Sequence, residues 1–304
     1  MELCNVKKFI ELKRINMVEG EDGIIKTIID RYDNVWTKEK FIAEGSYGKV
    51  FAYKSYNPEY ADLAVKFFME SDQDVDHETK MIKHFNRHWC RGFIKSGVLD
   101  LKDGKRAVVM EKIDGDLTKL DFSELEDPIG SLMDLKNFLV ESTKCSMKKR
   151  LIFLDIKAEN MAYKKCEDGY RFTFIDYGSF IGVYNTNDAV ATYGINGELY
   201  KENYFDNQIL FVYGVCMTLL SFKICTKSYK MSSNFDKFVE KLEDEEDIEI
   251  TNYLPVSNYD RIRKRFKYYM KEFDSFDEGI FQILLEITTR DMNVEEFIKR
   301  LQKL

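Results

Sequence analysis

Residues 151–164 read LIFLDIKAENMAYK. Apolar residues run from Leu151 to Leu154, polar groups interrupt at Asp155, Lys157 and Asn160, and an apolar run resumes at Met161. A turn needs one such side chain at most; three at this spacing point to chemistry. An aspartate can accept a proton from a hydroxyl nucleophile, and an asparagine offers a hard oxygen of the kind magnesium uses. A second acid, Asp176, follows in IDYGSF at 175–180, so two acids and an amide arrive on neighbouring loops. Together they make a candidate metal–phosphate site.

The rest of the chain is large enough to carry such a site. Its 304 residues, 44% of them apolar, supply a full core for one large domain or two lobes. With only three prolines and no internal repeat, Pro-rich linkers and repeat architectures are excluded. A net charge of −7 argues against an extended basic face, so nucleic acid is not expected as the main ligand despite the local cluster Lys148, Lys149 and Arg150. The start, MELCNVKKFIELKR, carries charges through any would-be signal core, and no secretory segment is expected. The longest uncharged apolar run, Ile209 to Phe222, would span roughly 21 Å as a helix against about 30 Å of hydrocarbon, which predicts a buried core helix and no membrane span. Six scattered cysteines without close pairs read as reduced thiols of a soluble cytoplasmic protein. His84, His88 and Cys90 lie close together but lack a fourth ligand at a metal-site spacing, and read as helix-end residues.

Three regions follow from the pattern. Residues 1–40 read as an amphipathic helical extension, clearest in IIKTIIDRY. Residues 41–113 are strand-rich: KFIAEGSYGKVFAYKS alternates like a hairpin, LAVKFF and GKRAVVMEKI are strands, and ETKMIKHFNRHW has helical period. Residues 114–304 are mostly helical, with SLMDLKNFLVESTKCSMKKRL, the run at 209–222 and two final helices separated near Arg290. Two short strand pieces around the turn KCEDGY interrupt them. The fold class expected is α+β.

Two features of the strand-rich region bear on phosphate. EGSYGKV sets Gly45 and Gly48 around Ser46 and Tyr47, so the backbone can approach a phosphate without a Cβ in the way. Lys66 sits on an apolar strand, where an ammonium is costly unless it meets an anion, and Glu78 opens the helical stretch ETKMIKHF on the side facing the sheet. A buried Lys66–Glu78 pair would hold the lysine toward a phosphate.

From about Phe41 to Leu301 these elements fall in the order of the eukaryotic-type protein kinase family, which the sequence resembles. GSYGKV looks like the glycine-rich loop, AVK the lysine strand, Glu78 the helix glutamate, VVMEKI the hinge, LDIKAEN the catalytic loop and DYG the magnesium motif. The resemblance implies a bilobal kinase fold and ATP with Mg2+ as cofactors. Asp155 and Lys157 would be catalytic, the lysine as in serine/threonine kinases, and Asn160 and Asp176 would hold the metal. Ala43, Gly45, Ser46, Tyr47, Gly48, Val50, Ala64, Lys66, Glu78, Met110, Glu111 and Ile113 would surround the nucleotide. Thr192 and Glu198 look like parts of the activation segment, with Arg290 as the ion-pair partner of Glu198.

The pattern also departs from the family. Ala43 replaces the first loop glycine, Phe153 and Leu154 stand where His-Arg is usual, the Lys66-to-Glu78 interval is short, and Asn196-Gly197-Glu198 replaces Ala-Pro-Glu. Asp206 comes earlier than the family's buried helix aspartate. Without the arginine, activity independent of activation-loop phosphorylation is expected. This divergence, with the scarcity of proline, is similar to kinases encoded by large DNA viruses. Three functions remain open: a serine/threonine protein kinase with protein substrates, a pseudokinase binding module, and a small-molecule kinase of the aminoglycoside or choline type. No oligomeric state follows from the residues.

Overall fold

The computed structural model describes residues 7–20, 24–45, 48–68, 72–87, 90, 92–101, 104–167, 169–182, 207–227, 259, 263–264, 266–267, 270–289 and 293–304. Its contacts divide into two units, the first made of residues 1–89, 93–113 and 176–178, the second of 90–92, 114–175 and 179–304.

In the first unit seven antiparallel strands run in the order β1-β2-β3-β4-β5-β7-β6. They are β1 (Asn16–Glu19), β2 (Ile25–Ile29), β3 (Val35–Gly45), β4 (Gly48–Ser55), β5 (Leu63–Phe68), β6 (Ser96–Asp100) and β7 (Arg106–Glu111). The helical reading of residues 1–40 is corrected: β1, β2 and most of β3 occupy its described part. Ile25 and Ile28, three apart and both fully buried, mimic one helix face. Yet five of the six residues from Ile24 to Ile29 are β-branched, which favours a strand once β3 lies alongside to pair with it. Trp36, Tyr53, Leu63, Val65 and Val109 pack beneath these strands as one cluster.

Helix α1 (Asp72–Arg87) follows β5. It begins six residues before Glu78, the residue expected to open it. The acidic run Asp72, Asp74 and Asp76 hides this start from an apolar-period reading, although carboxylates suit the positive end of a helix. Val75, Glu78, Ile82 and Phe85 are all buried, so at helical spacing Glu78 lies on the packed face.

The second unit holds α2 (Pro128–Met147), α3 (Asn207–Lys227), α4 (Ser275–Thr289) and α5 (Val294–Leu301), with β8 (Gly115–Asp116), β9 (Leu151–Phe153), β10 (Met161–Cys166), β11 (Gly169–Phe174) and β12 (Phe180–Gly182). Asp127 caps α2 by accepting from the Gly130 N–H, with Pro128 in the first turn. After α2, Arg150 takes a left-handed conformation (φ 57°) that turns the chain into β9. Every residue from Phe211 to Thr226 on α3 is buried, as expected of a helix at the centre of a core. No helix among the described residues is long and apolar enough to cross a membrane.

The expectation of reduced cysteines is corrected as well. Cys90 and Cys145 form a disulfide across 55 residues, and Cys166 is disulfide-bonded too, while Cys216 and Cys225 are buried free thiols. No short spacing announces a bridge of that span. Cys90 is therefore no metal ligand; His84 is exposed on α1, and His88 lies outside the described residues.

Candidate active site

In the second unit, the segment after β9 folds back on itself within six residues. Leu154 N–H donates to the Ser179 carbonyl (3.0 Å), Ile156 N–H to Leu154 (2.9 Å), and Asn160 N–H to Lys157 (3.1 Å), closing a 3-10 turn over Ala158–Asn160. The Asn160 amide nitrogen then donates to both the carboxylate (2.8 Å) and the carbonyl (3.0 Å) of Asp155. With its nitrogen so committed, the amide's other end is an oxygen acceptor, the donor type a hard cation takes. Lys157 Nζ lies 3.2 Å from the Asp155 carboxylate and 3.4 Å from that of Glu159. Burial lowers the Lys157 pKa, but the charges and hydrogen bonds of Asp155 and Glu159 outweigh it and hold the pKa above the ordinary value. Asp155, Lys157 and Asn160 are thus brought together.

Two residues unremarked in the sequence support this loop. Gly214 on α3 has no room for a side chain, since a Cβ there would lie 2.9 Å from the Cβ of Ile156, between Asp155 and Lys157. An isolated glycine in an apolar helix was the available signal. Phe153, in the position usually held by histidine, is buried against Phe174 (4.3 Å between centroids) and Phe180 (5.2 Å).

In the first unit, register assembles a second set. Val50 pairs with both Ala43 and Lys66, and Ala64 pairs with Met110. Paired residues share a face and alternate residues return to it, so Ala43, Val50, Ala64, Lys66 and Met110 lie on one side of the sheet. Gly45 and Gly48 close the β3–β4 hairpin as a register pair. A Cβ on Gly48 would stand 2.4 Å from the Phe67 carbonyl oxygen, so glycine is required there. Ser46 and Tyr47 lie outside the described residues. The N–H groups of Glu111 and Lys112 donate to Lys95 (3.0 Å) and Asp62 (2.8 Å), which leaves Ile113 as the donor of that segment.

Lys66 Nζ reaches Glu78 Oε2 at 2.7 Å, with 17% and 6% of the two side chains exposed. Burial pushes the Glu78 pKa up; the Lys66 charge and hydrogen bond oppose this, and the charge of Asp176 adds to it. Asp176 belongs to the same unit, and its Oδ1 accepts from the Gly178 N–H at 2.8 Å. Next to it, Tyr177 packs its ring against Phe85 (5.6 Å) and Phe93 (6.3 Å). Lys66, Glu78 and Asp176 are therefore neighbours. Thr192, Glu198, Asp206 and Arg290 lie outside the described residues.

The fold is matched among solved structures. The Mycobacterium tuberculosis PknI kinase domain, solved as a double and as a single mutant, superposes with TM-scores of 0.54 and 0.53 at 12% identity. The matches cover 88% of this chain and 95% and 94% of those chains. The chain has the protein-kinase fold. No protein-family model and no curated protein matches it in sequence. In this kinase fold the five strands from β3 to β7 and α1 carry Lys66 and Glu78, and the β9–β10 connection carries Asp155, Lys157 and Asn160.

Proposed function

We propose that this kinase-fold chain is an ATP-dependent protein kinase that transfers the γ-phosphoryl group to serine or threonine hydroxyls of a protein substrate. The observation that carries the reading is the 2.7 Å Lys66–Glu78 pair. A buried carboxylate fixes an ammonium on the same sheet face as Ala43, Val50, Ala64 and Met110, where that charge would meet the α and β phosphates of ATP. The Gly45–Gly48 hairpin with Ser46 and Tyr47 would cover those phosphates. Glu111 and Ile113 would meet the purine edge through their backbone.

On this reading Asp155, held by the Asn160 amide, orients the substrate hydroxyl and takes its proton, and Lys157 neutralises charge on the group in transit. Asn160 and Asp176 would hold magnesium: the first presents an amide oxygen, the second a carboxylate steadied by the Gly178 N–H. Bound there, the ion would supply positive charge against the phosphate oxygens. The aspartate, lysine and asparagine of the loop and the lysine, glutamate and aspartate of the first unit comprise every polar group this chemistry asks of the protein.

The test is transfer of label from γ-labelled ATP to a mixture of proteins, with Asp155→Asn as control. Loss of the base should lower transfer about 10²- to 10⁴-fold with the circular dichroism spectrum unchanged. Equal labelling by both forms contradicts the proposal. Labelling of hydroxylated metabolites but of no protein would favour a small-molecule kinase, and nucleotide binding without transfer a binding module. Leu154, fully buried, stands where an arginine would anchor a phosphorylated loop. Phosphatase-treated enzyme should therefore keep most of its activity; loss of most of it would refute that part.

A further inference from the structure

Among the described residues beyond Ile113, only 176–178 group with the first unit, so within three residues the chain enters it and leaves again. Something must hold so short an excursion in place. The carboxylate of Asp176 and the N–H of Gly178 bond to each other, which orders the turn internally without attaching it to its surroundings.

The side chain between them does attach it. Tyr177 is 2% exposed, and its hydroxyl donates to the Ile94 carbonyl at 2.6 Å. Its ring lies against Phe85 of α1 and Phe93, which also touch each other at 4.9 Å between centroids. The acceptor is fixed as well. Four residues before Ile94, Cys90 is bridged to Cys145, and the Gly92 carbonyl accepts from the Phe174 N–H (2.9 Å) and from Thr173 Oγ1 (3.2 Å). The segments 90–94 and 173–177 are thus stitched twice, at Gly92 in the second unit and at Ile94 in the first.

We infer that the Tyr177 hydroxyl is a positioning latch that keeps Asp176 in the first unit beside the Lys66–Glu78 pair. Phenylalanine supplies the same ring contacts but removes the 2.6 Å bond to the Ile94 carbonyl, which keeps only the longer bond from Ser96 Oγ at 3.3 Å. In this chain, which has Leu154 in place of an arginine that would order the loop through a phosphate, the latch supplies a bond that needs no modification. For its catalytic consequence the inference rests on the kinase reading above; the position of Asp176 does not depend on that reading.

The test is Tyr177→Phe in the full chain, read first by amide hydrogen exchange. Exchange across residues 176–178 should rise about tenfold, the size expected for the loss of one buried hydrogen bond, while the β10–β11 hairpin stays at the wild-type rate. Under the kinase reading, kcat should fall by a similar factor with KM for ATP within about twofold, because the lysine and the hinge are untouched. Wild-type exchange at 176–178 overturns the latch whatever the activity. Raised exchange with unchanged kcat overturns its positioning role. If the wild type transfers no phosphate at all, the kinase reading fails and the exchange result alone decides the latch.

Discussion

Lys66 in the first unit and Lys223 in the second each meet a buried carboxylate, and the two are compensated differently. Lys66 is held by the carboxylate of Glu78, whose pKa burial and Asp176 hold above the ordinary value despite the 2.7 Å contact. Lys223, on the core helix α3, donates to two: Asp274 at 2.6 Å and the fully buried Asp277 at 2.7 Å. Those carboxylates are satisfied further by backbone donors, Asp274 accepting from Phe276 (3.0 Å) and Asp277 (3.1 Å), and Asp277 from Asp274 (3.0 Å). Burial raises the pKa of Asp277 as it does that of Glu78, but Asp274, more than half exposed, is brought down to about 2, the bonds from Lys223 and Asp277 outweighing its desolvation. The Lys223 cluster is a finished network that fastens α3 to the start of α4. At the Lys66 pair the carboxylate instead stays raised and the charge of Asp176 adds to the shift, a perturbation of the kind that clusters at functional sites.

The largest effect that separates them is on chemistry. Lys66→Met should lower phosphoryl transfer about 10²- to 10³-fold, the loss typical of one preorganised electrostatic contact, while the folded population persists because Glu78 can protonate. Lys223→Met should do the reverse. It strands Asp277 at 0% exposure, so unfolding stability measured in urea should drop by about 3–5 kcal/mol, with kcat of the surviving enzyme unchanged. Equal stability losses with equal activity losses in both variants would erase the distinction.

The smallest effect is a difference in pH dependence. Because the folded-state pKa of Glu78 is raised, its contribution to stability is present below the unfolded value of about 4.3 and is lost as pH rises through the folded one. Glu78→Gln, which mimics the protonated form, should therefore gain stability relative to wild type as pH rises through that range. Asp274 has the opposite sign: its contribution is present above about 3.9 and is lost as pH falls toward the folded value of about 2. The deficit of Asp274→Asn should be evident at pH 6 and shrink toward pH 2 in urea titrations. Parallel pH profiles for the two variants would show that the two lysines sit in equivalent environments.

What was legible in the sequence follows from how far apart the partners lie. Asp155, Lys157 and Asn160 meet through a turn contained within six residues, so their spacing alone conveys the arrangement. The Gly45–Gly48 hairpin and the strand around Lys66 were likewise written in local alternation and turn chemistry. The strands before Phe41 were misread because isoleucines three apart satisfy a helical period equally well, and only pairing with β3 decides between the two. The Cys90–Cys145 bridge and the Lys223 network span 55 and 51 residues, and the Tyr177–Ile94 bond spans 83; tertiary packing makes such contacts, and no local pattern announces them.

The central claim is the proposed assignment of Asn160 and Asp176 to the metal that accompanies ATP. Titrating isotopically labelled protein with Mn2+–ATP tests it, because a paramagnetic ion broadens the resonances of nearby nuclei. The account predicts that the Asn160 side-chain amide in the second unit and the Gly178 amide beside Asp176 in the first broaden together, with a single dissociation constant. Broadening of one without the other, or of neither at saturating nucleotide, would contradict it.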